Sequence, residues 1–249
     1  MSGSHAIVVG ASSGIGLAVA TALRARGHAV SNLARRAAPV GSVDASYACD
    51  VTSSDDVTRA VDRAIEAHGP CDVVVYASGV PAMGHTLEIP EEDARRCFEV
   101  NFWGLDRVVR AVLPSMMERR RGSILAISSL VALRAVPYEA YYAASKAAVA
   151  RYLGCLAHEA RRGHVRVHAL HIGLIDTGFF ERGGWHGMET PRVRGSGVSA
   201  DDVARAALRL LDSESESAVL GWKERMIALG DRVAPTLYDR LLRLRDTAR

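Results

Sequence analysis

Lysine is almost missing from this chain: Lys146 and Lys223 stand against 29 arginines in 249 residues. Arginine meets nearly every need for positive charge, so position 146 is one where it has not been used. Paired cysteines are missing too. Cys49, Cys71, Cys97 and Cys155 lie far apart with no Cys-x-x-Cys, which signals neither a zinc site nor a disulfide scaffold and leaves reduced thiols. No apolar run approaches the roughly 18 residues of a membrane span. The first residues, Met1-Ser-Gly-Ser-His5, lack the positive-then-apolar pattern of a leader, so a cytoplasmic protein without a membrane span is expected. Positive charge is not gathered into a stripe. The formal net charge is +3 with acids interleaved, and Arg119-Arg-Arg121 reads as a solvated helix end, so no nucleic-acid surface is signalled.

What is present is a globular balance, 49% hydrophobic and 24% charged, over a length that suits one α/β domain, 1–249. Ala6-Ile-Val-Val9 is a short, β-branched run closed by glycine, as in a strand buried on both faces. Ile15, Val19 and Leu23 then recur every four residues and stop at Gly27, the pattern of an amphipathic helix. Ala29–Ala34 and a segment near Tyr47–Cys49 read as strands, and Thr52-Ser-Ser-Asp-Asp56 caps a helix carrying Val57, Val61 and Ile65. Asp72–Ala77 reads as the clearest fully buried strand. A helix over 98–118 precedes the strand Ser123–Ile127, and an alanine-rich helix over 141–162 precedes Val165–Leu170.

This alternation predicts a Rossmann-type doubly wound parallel sheet with helices on both faces, binding ligand at the strands' carboxyl ends. Residues 178–200, glycine-rich with Phe179, Phe180 and Trp185 but no period, are expected to form a mobile flap over that edge. From Trp222 onward, apolar residues three or four apart predict a helical extension over 222–249, interrupted by Pro235 and docked on its own domain or another subunit.

Three local patterns carry chemistry. Gly10-Ala-Ser-Ser-Gly14-Ile-Gly16 lies between the first strand and first helix. A turn without side chains lets the backbone approach a pyrophosphate, and the helix N-terminus offers free N–H groups. A plain glycine-rich turn is the simpler reading. Tyr142-Ala-Ala-Ser-Lys146 places a phenol and an ammonium at i and i+4 on one helix face, where a nearby cation favours phenolate; surface Tyr–Lys pairs are also common. Ser128-Ser129 ends a strand, and a hydroxyl there suits an oxygen on which charge develops.

Together, Gly10-x3-Gly14-x-Gly16, Asn101, Ser129 and Tyr142-x3-Lys146 resemble the short-chain dehydrogenase/reductase family, in order and spacing, over about residues 5–221. The resemblance implies roles. Ser129 positions a carbonyl oxygen, Tyr142 donates or accepts the proton, Lys146 lowers the tyrosine pKa and binds the nicotinamide ribose, and Asn101 holds a water in a relay to the lysine. It implies cofactor contacts from Gly10, Ser12, Ser13, Gly14, Ile15 and Gly16, from Asp50 and Val51 near the adenine, from Ala77 and Gly79 at the ribose, and from Gly173, Ile175 and Thr177 at the nicotinamide. No metal is implied. Homodimers or homotetramers through the two long helices are common in the family.

Cofactor choice turns on charge at the end of the second strand, where an acid selects NAD(H) and an arginine selects NADP(H). The chain reads Leu33-Ala34-Arg35-Arg36, so NADP(H) is expected, with Arg35 the main contact and Arg36 its helper. Two departures from the family stand out. Tyr76-Ala-Ser-Gly79 replaces Asn-Asn-Ala-Gly, and Ile172 replaces the proline before Gly173. Val131, Tyr138, Phe179, Phe180 and Trp185 are placed around a small-molecule pocket, whose apolar character suggests a hydrophobic ketone or oxoacyl substrate. The alternatives are an NAD-dependent alcohol dehydrogenase on the same scaffold and a cofactor-binding regulator that has lost catalysis.

Overall fold

The computed structural model describes residues 4–175, 179, 185–189, 198–234 and 236. Seven strands form one parallel sheet: β1 (His5–Val9), β2 (Ala29–Ala34), β3 (Ala45–Ala48), β4 (Cys71–Tyr76), β6 (Gly122–Ser129), β7 (Val165–Ile172) and β9 (Ser217–Val219). Their order is β3-β2-β1-β4-β6-β7-β9. The chain winds outward in one direction from β1 and in the other from β4, so the connections leave the sheet on opposite sides and a crevice opens above these two strands. A separate two-stranded pair joins β5 (Met83–Gly84) to β8 (Trp185–His186).

Helices cover both faces, and each face has its own core. On one side α2 (Ser54–His68), α4 (Gly104–Arg119) and α5 (Ala140–Ala160) pack Val57, Val61, Leu105, Val109 and Leu153 onto Ile7, Val74, Ile124 and Val167. On the other, α1 (Gly14–Ala25) and α6 (Ala200–Leu211) pack Val19, Leu23, Val203 and Leu208 onto Val8, Val75, Leu125 and Leu170. Alternate residues of each strand serve opposite cores, which is why these strands read as unbroken apolar runs.

Several expectations change. The fully buried strands are β1 and β6, every residue of which is buried, whereas Asp72 and Val73 of β4 are part-exposed. Asp72 sits at the open amino edge, where its carboxylate takes Arg119 at 3.1 Å and Arg121 at 3.2 Å. The helix expected over 98–118 is three pieces: α3 (Glu91–Phe98), a π-turn (Glu99–Trp103) and α4. Helix α6 and strand β9 have no counterpart in the sequence reading, although Ser199 and Asp202 form a reciprocal capping box before Val203 and Leu208. Ser199 and Ala200 therefore belong to α6 and not to a flap. At the far end, α7 (Trp222–Val233) turns Trp222, Met226, Leu229 and Val233 to solvent, 53–74% exposed, so of the two expected docking surfaces, its own domain or another subunit, the described part of its own domain does not take this stripe. Pro235 and residues 237–249 lie outside the described residues, as does most of 178–200.

Candidate active site

The glycine turn is built by close approach. Gly10 adopts φ +94° and Gly14 φ +58°, values that disfavour side chains, and a Cβ on Gly10 would sit 2.8 Å from the Ser78 hydroxyl. A Cβ on Gly16 would overlap the Gly10 carbonyl, so that glycine lets α1 seat against the turn. Ser13, at the N-cap of α1, is fully extended and its side chain caps nothing. The helix thus presents uncapped N–H donors and the positive end of its dipole to the crevice. Asn32, buried in the middle of β2, holds the turn from below. Its Oδ1 accepts from Ala11 N at 2.9 Å and its Nδ2 donates to Arg36 O at 3.3 Å.

Above the turn lies a cavity of about 690 Å³, bounded by Ser12–Gly16, Arg35, Arg36, Ala77–Pro81 and Arg96. A second, of about 410 Å³, adjoins it beside Asp50, Val51 and Val100. Asp50 accepts from Thr52 N at 3.0 Å and Thr52 Oγ1 at 2.8 Å. These bonds, then the charges of Arg35 and Arg96, hold its carboxyl below the usual range. Open backbone donors, solvated guanidiniums and an elongated, polar cleft fit a dinucleotide diphosphate.

The cleft runs on into a small cavity of about 80 Å³ lined by Ile15, Ser129, Tyr142, Lys146, Gly173 and Ile175 among others. Ser129 ends β6, and Tyr142 and Lys146 project from the first two turns of α5, so two elements that pack together meet here. The Ser129 hydroxyl accepts from Val131 N at 3.3 Å and lies near enough to the Tyr142 phenol to favour its ionised form. Lys146 Nζ donates to Ile127 O at 3.1 Å and stands 5.8 Å from the Tyr142 ring centre. Burial dominates the electrostatics. It drives the Tyr142 pKa above the phenol range, helped by the charge of Glu139 and opposed by Ser129. It lowers Lys146 to about 8. The expected lowering of the tyrosine pKa by Lys146 does not figure in this arrangement: desolvation leads, and the phenol is held protonated. Glu139, three residues before Tyr142, is itself raised to about 7 by burial.

Asn101 sits in the π-turn, 1% exposed. Its Oδ1 accepts from Val80 N at 2.9 Å, and its Nδ2 donates to Val80 O at 3.1 Å and Ser145 Oγ at 2.9 Å. It thereby fixes the loop after β4 against α5. A Cβ on Gly79 would lie 3.3 Å from Asn101 Oδ1 and 3.6 Å from Lys146 Nζ, so a side chain here would press on the Asn101 amide and narrow this gap. The departure at Tyr76 finds its explanation here. Its buried hydroxyl donates to Val100 O, occupying a carbonyl of the π-turn, and Gly104 provides the room.

Of the residues placed around a substrate, Val131, Phe179 and Trp185 join Tyr142, Met83 and Ile89 in one apolar cluster. The Phe179 ring stands 5.7 Å from that of Tyr142. Tyr138, at φ +67°, packs edge-on against His85 outside that cluster. Thr177 and Phe180 lie outside the described residues. Asn32, Arg96 and Glu139 belong to the site without any sequence motif to mark them, and Ser78 belongs to it within the altered Tyr76–Gly79 motif. Of the first three, only Asn32 left a trace, as an amide inside an apolar strand.

The short chain dehydrogenase family profile matches residues 4–183. A 3-ketodihydrosphingosine reductase from Bacteroides thetaiotaomicron is 37% identical over 213 residues, 85% of this chain and 77% of the relative. A 3-oxoacyl-(acyl-carrier-protein) reductase from Thermotoga maritima is 30% identical over 229 residues, 86% of this chain and 93% of its own. A short chain dehydrogenase from Burkholderia cenocepacia, solved in complex with NADP, superposes with a TM-score of 0.82 at 25% identity, covering 96% of this chain and 97% of that one.

Proposed function

The chain belongs to the short-chain dehydrogenase family, and from this premise we propose that it is an NADP(H)-dependent reductase of a hydrophobic ketone or oxoacyl compound. One observation carries the reading: the cleft that begins at the glycine turn ends on Ser129, Tyr142 and Lys146. Two of the relatives above are reductases of keto or oxoacyl compounds by name, and one neighbour holds NADP.

The nicotinamide, when bound, supplies or accepts the hydride. The uncapped start of α1 and the Gly10 turn hold the diphosphate, Asp50 and Val51 border the adenine, and Ala77 and Gly79 leave room for a ribose. Arg35 and Arg36, both exposed and with no acid at the end of β2, attract a 2′-phosphate. At the reacting end, Ser129 hydrogen-bonds the substrate oxygen and Tyr142 gives it a proton. A buried phenol kept protonated acts as the acid of a reduction. Lys146, whose pKa burial lowers to about 8, would donate to the ribose hydroxyls of a bound cofactor and set its positive charge beside Tyr142. The Asn101 side chain is taken up by Val80 and Ser145, so any water it holds is bound by its main chain. Val131, Phe179 and Trp185 supply the apolar wall. As in much of the family, a homodimer or homotetramer in the cytoplasm is the expected working form.

The test is loss of absorbance at the reduced-nicotinamide band with NADPH and a panel of ketones and oxoacyl thioesters. Arg35→Asp should shift the NADPH/NADH ratio of kcat/KM toward NADH by roughly 10- to 100-fold, since a charge-assisted pair becomes a repulsion. An unchanged ratio refutes the cofactor preference.

A further inference from the structure

Arg35 and Arg36 occupy one wall of the cleft. The opposite wall carries a third arginine, Arg96 on α3, which borders both the larger and the adjoining cavity just as they do. Local geometry sends it there. Arg95 folds back one turn onto Glu91, N to O 2.6 Å, along the exposed face of the helix. The next residue is rotated by about 100° around the helix axis, which turns Arg96 to the cleft. Glu92 stands four positions before Arg96, a spacing that favours an intrahelical pair. Yet Arg96 makes no ion pair with Glu92 or with any other acid among the described residues; Glu99, one turn further on, is taken by Arg107 at 2.9 Å. Its charge is felt instead by Asp50, whose carboxyl it helps Arg35 to hold down. Three exposed guanidiniums thus line a channel whose acids are Asp50, Asp93, which faces His186 at 3.3 Å, and Glu99, already paired with Arg107, above an uncapped helix N-terminus.

We propose that Arg96 is a cofactor-binding residue, closing on a phosphate of the adenosine half from the wall opposite Arg35. This rests on the dinucleotide reading above. A guanidinium that forgoes its helical partner and stays solvated at the rim keeps its donors free for a bidentate phosphate contact. The phosphate is either the diphosphate shared by both cofactors or the 2′-phosphate peculiar to one, and fragments of the cofactor separate the two.

Calorimetric titration of the wild-type protein, Arg96→Gln, Arg96→Lys and Arg95→Gln with ADP-ribose and with 2′,5′-ADP tests it. Arg96→Gln should weaken one or both fragments roughly 10- to 100-fold, and Arg95→Gln should stay within about twofold of wild type, because a solvated i,i+4 pair contributes little. Loss on both fragments assigns Arg96 to the 5′-phosphate side; loss on 2′,5′-ADP alone assigns it to the 2′-phosphate. Should Arg96→Gln fold poorly, Arg96→Lys keeps the charge without the fork, and weaker binding at an unchanged melting midpoint supports the same conclusion. Wild-type affinity in both Arg96 variants overturns the assignment. If the wild-type protein binds neither fragment, nor NADPH, the dinucleotide reading falls first.

Discussion

At the glycine-turn end the cleft is bounded by main chain and by cations in water: Gly10, Gly14 and Gly16 with no side chains, an idle Ser13, and Arg35, Arg36 and Arg96 exposed at the rim. At the other end Ser129, Tyr142, Lys146 and Asn101 are all less than a tenth exposed. The first end needs shape and a field, both of which survive in water. The second needs proton affinities moved from their ordinary values, and only burial moves them that far. One end is therefore costly to crowd, the other costly to keep charged.

Crowding the first end has the larger effect. Gly16→Ala would drive a Cβ into the Gly10 carbonyl. Overpacking of this kind costs about 1–3 kcal/mol, so NADPH affinity should fall roughly 10- to 100-fold, which fluorescence titration reads. Unchanged affinity would mean the turn does not meet the diphosphate. The next test removes the charge at the second end. Lys146→Met gives up a buried ammonium whose pKa burial has lowered to about 8. The unfolded chain binds a proton that the folded chain resists between that value and the ordinary lysine value, so stability of the wild type rises as pH climbs through this window. Lys146→Met should abolish turnover, flatten that rise and stabilise the protein at pH 7 by on the order of 2 kcal/mol. A destabilised variant would show that the Ile127 bond outweighs the burial of charge.

The smallest effect is expected at Glu139, raised to about 7 from 4.5. The folded state keeps its proton longer than the unfolded chain, so stability is full below the ordinary value and is lost as pH rises to about 7. Glu139→Gln should remove this fall, a change of a few degrees or less in melting midpoint between pH 5 and pH 7, and leave the glycine-turn end untouched. A pH profile identical to wild type would mean the carboxyl is hydrated.

The two ends also differ in how far they could be read before folding. The turn and the Tyr142–Lys146 pair are local: three glycines and an i,i+4 spacing state their geometry in a few consecutive residues, and the alternating apolar runs give the sheet. Asn32 and Arg96 reach the site from elements far from the turn in sequence, so no spacing announces them. The direction of the Tyr142 shift was missed for the same reason. The sequence shows the lysine four residues away, but not the desolvation contributed by β6, the loop after β4 and Phe179. Helix α6 was legible in its Ser199–Asp202 capping box and in Val203, Ala207 and Leu211, but its neighbour, the aperiodic stretch before it, hid the boundary. The stripe on α7 has helical period without a matching surface among the described residues of its own domain, because periodicity fixes which residues share a face and not what the face meets.

The central claim is that Tyr142 delivers a proton while hydride passes at the end of this cleft. The direct measurement follows deuterium from 4-deuterated NADPH into the product of a reducible ketone or oxoacyl thioester by mass spectrometry, for the wild-type protein and Tyr142→Phe, with NADPH affinity measured in parallel. We expect deuterium on the carbinol carbon with the wild type, a rate lower by roughly 10²- to 10⁴-fold in the variant, and unchanged NADPH affinity in both. No transfer to any carbonyl in the panel, or transfer at the wild-type rate without the phenol, would contradict the account.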